Sequence, residues 1–131
     1  MVLIFGGAYQ GKLEYVLNRF ELSMEDVIFC TEKDYSLPCG KKVICDIDKW
    51  ILALIKAGQD VSEAVGQFQH ENPDAIVICN DISCGVVPMD PVMRKWRDET
   101  GRFMGRIAQH AIEVVRLYCG IPTVLKGGIK P

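Results

Sequence analysis

The stretch "MVLIFGGAYQGKL", residues 1–13, decides how the rest of the chain is read. An apolar run leads straight into two glycines, and Gly6, Gly11 and Lys12 then fall in the frame of a phosphate-binding loop. Such a loop needs a strand before it and a helix after it. Val2 to Phe5 reads as a buried strand, and Leu13, Val16, Leu17 and Phe20 follow the i, i+3, i+4, i+7 spacing of a helix. Glycines let the backbone curl so that successive N–H groups point at phosphate oxygens, and the helix start adds about half a positive charge. The candidate binding stretch is therefore Gly6, Gly7, Ala8, Tyr9, Gln10, Gly11, Lys12 and Leu13, with Lys12 as the cation that reaches the terminal phosphates. The loop normally closes on Ser or Thr, whose hydroxyl ligates Mg²⁺; Leu13 has no such group. The competing reading is a plain strand-to-helix turn with two useful glycines. Strand, glycine spacing, lysine and helix together favour phosphate.

Working outward, apolar runs and helical patterns alternate. "DVIFC" (26–30) and "KVIC" (42–45) read as strands, separated by the loop "TEKDYSLPCGKK" (31–42) with Pro38 and Gly40 as breakers. Ile47, Trp50, Ile51, Leu54 and Ile55 mark a helix that ends before Gly58. A more polar helix runs from Val61 to His70. "DAIVIC" (74–79) is a continuous apolar run, the mark of a central parallel strand. After the loop 80–88, Asp90 is placed to cap a long helix with Pro91 in its first position, extending to about Ile112. "EVVRLYC" (113–119) is a fifth strand, and the tail from Gly120 is loop or edge. The expected architecture is a single α/β domain over 1–131, a P-loop NTPase-like three-layer fold with a mainly parallel sheet of about five strands.

Acidic residues at strand ends extend the candidate site. Asp46 closes "VICD" and Asp81 closes "IVICND"; a carboxylate at the carboxyl edge of a strand beside a phosphate loop can hold Mg²⁺. Asp46 and Asp81 are thus the candidate metal ligands and, with Lys12, the candidate catalytic residues. Asp46 or Asp48 reads equally as a cap of the helix that follows. Arg94, Lys95, Arg97, Arg102 and Arg106 suit phosphate by their chemistry, but their spacing favours a solvated face paired with Asp98 and Glu99. His70 and His110 stand isolated, and no Ser-His-Asp or Cys-His arrangement can be read.

Composition narrows the class. The 131 residues are 49% hydrophobic and 24% charged with a net charge of −2, which supports a packed core and disfavours nucleic acid as a partner. No apolar run approaches the ~18 residues of a membrane span, and the opening run has no basic leader, so the expected compartment is the cytoplasm. Six cysteines form no C-x-x-C pair. Cys30, Cys45, Cys79 and Cys119 lie in strand-like runs and read as buried free thiols; Cys39 and Cys84 fall in loops and are the two with potential reactivity.

A family resemblance enters through the second half. "ICNDISCGVVP" (78–88) resembles the "VSNEVGMGIVP" type of segment in adenosylcobinamide kinase/adenosylcobinamide-phosphate guanylyltransferases, bifunctional enzymes of cobalamin assembly. "RKWRDETGRFMGRIAQHAIEVVRLYCGIPTVLK" (94–126) is similar to their "R-x-F-R-D-x-x-G-R-L-N-Q" segment and the "G-I-P-x-x-L-K" beyond it. "GGAYQGKL" sits where they carry a "GGARSGKS" type of loop, and Trp50 where they have a Trp after the third strand. The resemblance implies ATP or GTP with Mg²⁺ as cofactors, a corrinoid precursor as a further partner, and a homo-oligomer, by family habit a trimer. This chain departs from the pattern at Tyr9, Gln10 and Leu13 in the loop, at Met104 and Gly105 after "GR", and at Asp46, which is displaced by one residue. The family's helical segment between the second and third strands carries a His that accepts the nucleotidyl group. Residues 31–42 are too short for that segment and contain no His. The implied function is a shortened, divergent nucleotide-binding protein of cobalamin biosynthesis, as a kinase without guanylyltransferase activity; the alternatives are a non-catalytic nucleotide- or corrinoid-binding module and a degenerate oligomeric subunit.

Overall fold

The computed structural model describes residues 1–8, 10–82 and 90–127. The first strand, β1 (Val2–Gly6), lies at the centre of a six-stranded sheet. It is flanked by β4 (Ile76–Asn80) on one side and β5 (Glu113–Tyr118) on the other, both parallel to it. Outside β4 come β3 (Val43–Cys45) and then β2 (Val27–Phe29), also parallel. The order is β2-β3-β4-β1-β5-β6, and only β6 (Ile121–Lys126) is antiparallel. The sheet thus has one strand more than the five expected. The extra strand comes from the tail, where Pro122 and the lack of any buried residue hide a strand pattern.

Side-chain alternation along β1 divides the core in two. Val2 and Ile4 face one side with Ile78, Val115 and Leu117, covered by α1 (Lys12–Arg19) through Val16. Leu3 faces the other side with Ile44, Val77 and Val114. There α2 (Ile47–Lys56), α3 (Val61–Glu71) and α4 (Pro91–His110) supply Trp50, Phe68, Phe103 and Ile107. The Trp50 and Phe68 rings lie 5.4 Å apart, and Phe68 and Phe103 lie 5.9 Å apart. This is the expected three-layer α/β, P-loop-like arrangement, with one short helix opposite three. Asp90 caps α4 as expected, accepting from the Val92 N–H at 2.8 Å, with Pro91 in the first turn.

The chain leaves β1 through α1 on one face toward β2, and leaves β4 through α4 on the other face toward β5, so the carboxyl ends of β1 and β4 form a topological switch point, where an open α/β sheet leaves a crevice. Gly6, the last residue of the strand, has to be glycine because a Cβ would run into the Leu117 carbonyl oxygen.

Cysteine placement follows the expectation except at one position. Cys30, Cys45 and Cys79 are buried free thiols; burial pushes Cys30 and Cys45 up to about 12 and Cys79 well above the ordinary value, which keeps them protonated and inert. Cys119 is not buried. The chain turns there with φ 53, one residue after β5 ends, and carries the thiol into solvent. Cys39 is exposed as expected, and Cys84 lies outside the described residues.

Candidate functional site

The turn from β1 to α1 shapes the crevice. Gly11 adopts a left-handed conformation (φ 80) and stands at the N-cap of α1, with no side chain to cap the helix. The first main-chain bond of the helix is Tyr15 N–H to the Gly11 carbonyl, 3.0 Å. The N–H groups of the first turn before it have no partner within the helix. The loop is anchored on its far side to the turn between β5 and β6. The Gln10 carbonyl accepts from Gly120 N–H at 3.1 Å, and the Gln10 side-chain oxygen accepts from the Cys119 N–H.

Lys12 is the first residue of α1 and is buried. Its ammonium donates to the Gly7 carbonyl at 2.6 Å, so the side chain folds back across the loop that it belongs to. Burial lowers its pKa, opposed by the charges of Asp46 and then Asp48. A desolvated cation beside helix N–H groups with no partner in the helix has the chemistry that suits an anion.

Opposite Lys12, the ends of β3 and β4 bring two carboxylates and an amide together. Asn80 Nδ2 donates to Asp46 Oδ1 at 3.1 Å and to Asp48 Oδ1 at 3.1 Å. The Asn80 main-chain N–H also donates to Asp48 Oδ1, 3.1 Å. Asp48 is 2% exposed, and burial raises its pKa against the lowering effect of the Asn80 bonds. Its carbonyl accepts from Trp96 Nε1 at 2.7 Å, which docks α4 onto the start of α2. Asp46 is half-buried, takes a left-handed backbone (φ 60) and lies 3.6 Å from the Lys49 ammonium. Asp46 stands at the N-cap of α2 as the capping reading has it, but its side chain makes no capping hydrogen bond and turns to Asn80 instead; Asp48 lies inside the first turn of the helix. Lys12, Asp46, Lys49 and Asn80 line one cleft of about 760 Å³, and Asp48 lies buried behind Asn80.

Of the sequence-predicted residues, Ala8, Gln10, Gly11, Lys12, Leu13 and Asp46 line that cleft. Gly6 closes β1, and Gly7 offers its carbonyl to Lys12. Tyr9 lies outside the described residues. Leu13 is half-buried and packs against the core under α1 as well as facing the cleft. Asp81 is tied by its main-chain N–H to the Gly6 carbonyl at 2.8 Å, beside the loop, but its side chain is not among the described cleft lining. The basic residues of α4 behave as a solvated face where they are seen: Arg102 pairs with Glu99, and Arg106 donates to the Ser62 carbonyl. His110 Nδ1 lies 3.0 Å from the Arg106 carbonyl, which accepts from it, on the last turn of α4, and His70 is exposed on α3. Between Cys30 and Lys42 the chain forms no helix and no strand.

Asn80 and Lys49 were missed by sequence reasoning, and Asp48 was seen only as a cap. The sole sequence signal for Asn80 was its place at the end of an apolar strand, next to the carboxylate that drew attention.

A family model for cobinamide kinase / cobinamide phosphate guanyltransferase matches residues 41–125, about two thirds of the chain. The chain belongs to this family. The family's place is in cobalamin biosynthesis, and its proteins bind nucleotides. The match takes in Asp46, Asp48, Asn80 and Asp81, whereas the loop 6–13 lies outside it. A comparison with curated proteins found no match. No helix among the described residues is long and apolar enough to cross a membrane.

Proposed function

We propose that this cobinamide kinase-family chain binds ATP or GTP with the phosphates over the β1–α1 loop and transfers the terminal phosphoryl group to the hydroxyl of a cobinamide-like alcohol. The observation that carries the reading is Lys12: a buried ammonium at the head of α1, in the same cleft as Asp46. Its only hydrogen bond among the described residues is to the Gly7 carbonyl, a partner that a phosphate oxygen can replace. In the transfer, the alcohol oxygen bonds to the terminal phosphorus as the bond to the leaving diphosphate oxygen breaks, and the alcohol proton leaves with it or passes to a nearby carboxylate. The chain's contribution is position and charge: loop N–H groups orient the phosphates, and Lys12 neutralises the charge that moves onto the leaving oxygens.

The residues fit a magnesium ion by donor type. Asp46 is an oxygen ligand at the open end of the cleft, and Mg²⁺ needs only one or two carboxylates besides phosphates and water. Asp81, at the adjacent strand end, is the second candidate. The ion would supply charge neutralisation on the phosphates, and Leu13 leaves Asp46 to hold it without help from the loop. Loss of the guanylyltransferase step is supported by residues 31–42, which carry no His and no helix.

A second reading is a nucleotide-binding module without turnover. It is favoured by Asp46 itself, whose carboxylate already engages Asn80 and Lys49, and by the apolar Leu13. One experiment tests both. ATP and GTP, each with and without Mg²⁺, are expected to raise the melting temperature, and Lys12→Ala is expected to weaken binding at least tenfold, the scale of one lost charge-assisted bond to phosphate. Unchanged affinity in Lys12→Ala refutes the loop assignment. Phosphorylation of cobinamide then separates a kinase from a binder.

A further inference from the structure

The cleft does not end at the loop. A second cavity, about 470 Å³, opens on the other side of Gly11 and shares Gly11 and Glu14 with the first. Its remaining walls are Tyr15, Asn18 and Arg19 on the outer face of α1, and Gly120 in the β5–β6 turn. A ligand seated with its phosphates at Lys12 can therefore continue past Gly11 into this space without leaving the protein surface.

The chemistry of the second cavity is unsuited to phosphate. Its one cation, Arg19, is engaged: it forms an ion pair with Glu113, donates to the Tyr15 hydroxyl at 2.9 Å, and stacks over the Phe20 ring at 4.7 Å. Glu14, on the shared rim, repels a second anion. The cavity does suit a flat, neutral, hydrogen-bonding group. Gly11 and Gly120 face each other, each with positive φ, and a Cβ on Gly120 would meet nothing within 4 Å. That leaves an open slot against bare backbone. Asn18 is exposed on the helix and makes no hydrogen bond within the described chain, so its amide offers one acceptor and two donors to a ligand edge.

We propose that this cavity is the nucleoside subsite. The base enters the slot beside Gly120, the ribose crosses at Gly11 and Glu14, and the Asn18 amide pairs with the base edge. Asn18 is then a specificity-determining residue, and the β5–β6 turn is part of the nucleotide site. The inference rests on the nucleotide reading above and adds where the non-phosphate half of the ligand lies.

The test compares a ligand that has a base with one that does not. GTP, ATP and inorganic tripolyphosphate are titrated against the wild-type chain and against Asn18→Leu and Asn18→Ala, with melting temperature checked for each variant. Leu keeps the branched shape of Asn, slightly enlarged, and removes its hydrogen bonds; Ala removes both. The expected result is a loss of about tenfold in affinity for the preferred nucleotide in both variants, the scale of one to two net hydrogen bonds, with tripolyphosphate binding unchanged. Unaltered nucleotide affinity in both variants overturns the subsite. So does a wild-type chain that binds tripolyphosphate as tightly as nucleotide, which leaves the phosphate loop standing without a nucleoside site. If the wild type binds neither, the phosphate reading and the subsite fall together. Equal losses for nucleotide and tripolyphosphate would assign Asn18 to the shape of α1 and also overturn it.

Discussion

Lys12, in the cleft, and Asp48, buried behind Asn80, are both taken out of water, and each responds to burial in its own direction. For Asp48 the sign can be worked through. Burial raises its native pKa above that of the unfolded carboxylate, so between the two values the native state holds a proton that the unfolded state has released. The cost of the buried charge is fully present above the native pKa. It fades as pH falls through that value and is gone below about 4, the unfolded carboxylate's value. Asp48→Asn keeps an oxygen for the Asn80 N–H and has no charge to titrate. Denaturant unfolding at neutral pH and near pH 4.5 is expected to show the wild type gaining on this variant as pH falls; a constant gap would refute the assignment. None of this pairing was legible in the sequence, because Asn80 and Asp48 are separated by 32 positions and meet only where two strands end together. Lys12 and Asp46 were legible because the loop frame and the strand end each advertise them locally.

The strands and helices could be read to the extent that burial imposed a period. β1, β3 and β4 are buried almost throughout and appear as short apolar runs, and α2 appears as a repeat of large apolar residues. β6 has no buried face and left no pattern, and Cys119 was misread because an apolar run does not show where the backbone turns. α4 is the instructive helix: 20 residues long, it buries only Thr100, Phe103 and Ile107. Gly101 and Gly105 lie within it, and a Cβ at either would meet no atom within 4 Å. Nothing in the packing requires glycine at position 101. Gly101→Ala is therefore expected to stabilise the protein by about 0.5–1 kcal/mol, the difference in helix propensity. A shift of the denaturation midpoint to higher denaturant checks this; destabilisation would mean that the face of α4 at Gly101 is covered in the working protein.

For the whole molecule, the sheet has two unlike edges. β2 is short, while β6 runs six residues with every residue exposed. Ile121, Val124 and Leu125 are more than half or half exposed there, next to Tyr118 and Ile112. An exposed apolar edge of this kind invites another strand, and this supports the homo-oligomer that the family resemblance implies. Light scattering is expected to give a mass above that of one chain, and Val124→Lys with Leu125→Lys to reduce it to a monomer of 14.7 kDa. A wild-type monomer would refute the oligomer. The same hairpin has a second obligation. Turns at an exposed sheet edge ordinarily accept extra residues, because little depends on their length. Here the main chain at Cys119 and Gly120 holds Gln10 in place, and Gly6 leaves room for the Leu117 carbonyl. The β5–β6 turn thus acts as the mould against which the β1–α1 loop is cast. A single inserted residue between Tyr118 and Ile121, harmless at most surface turns, would reach the proposed nucleotide site before it reached the core.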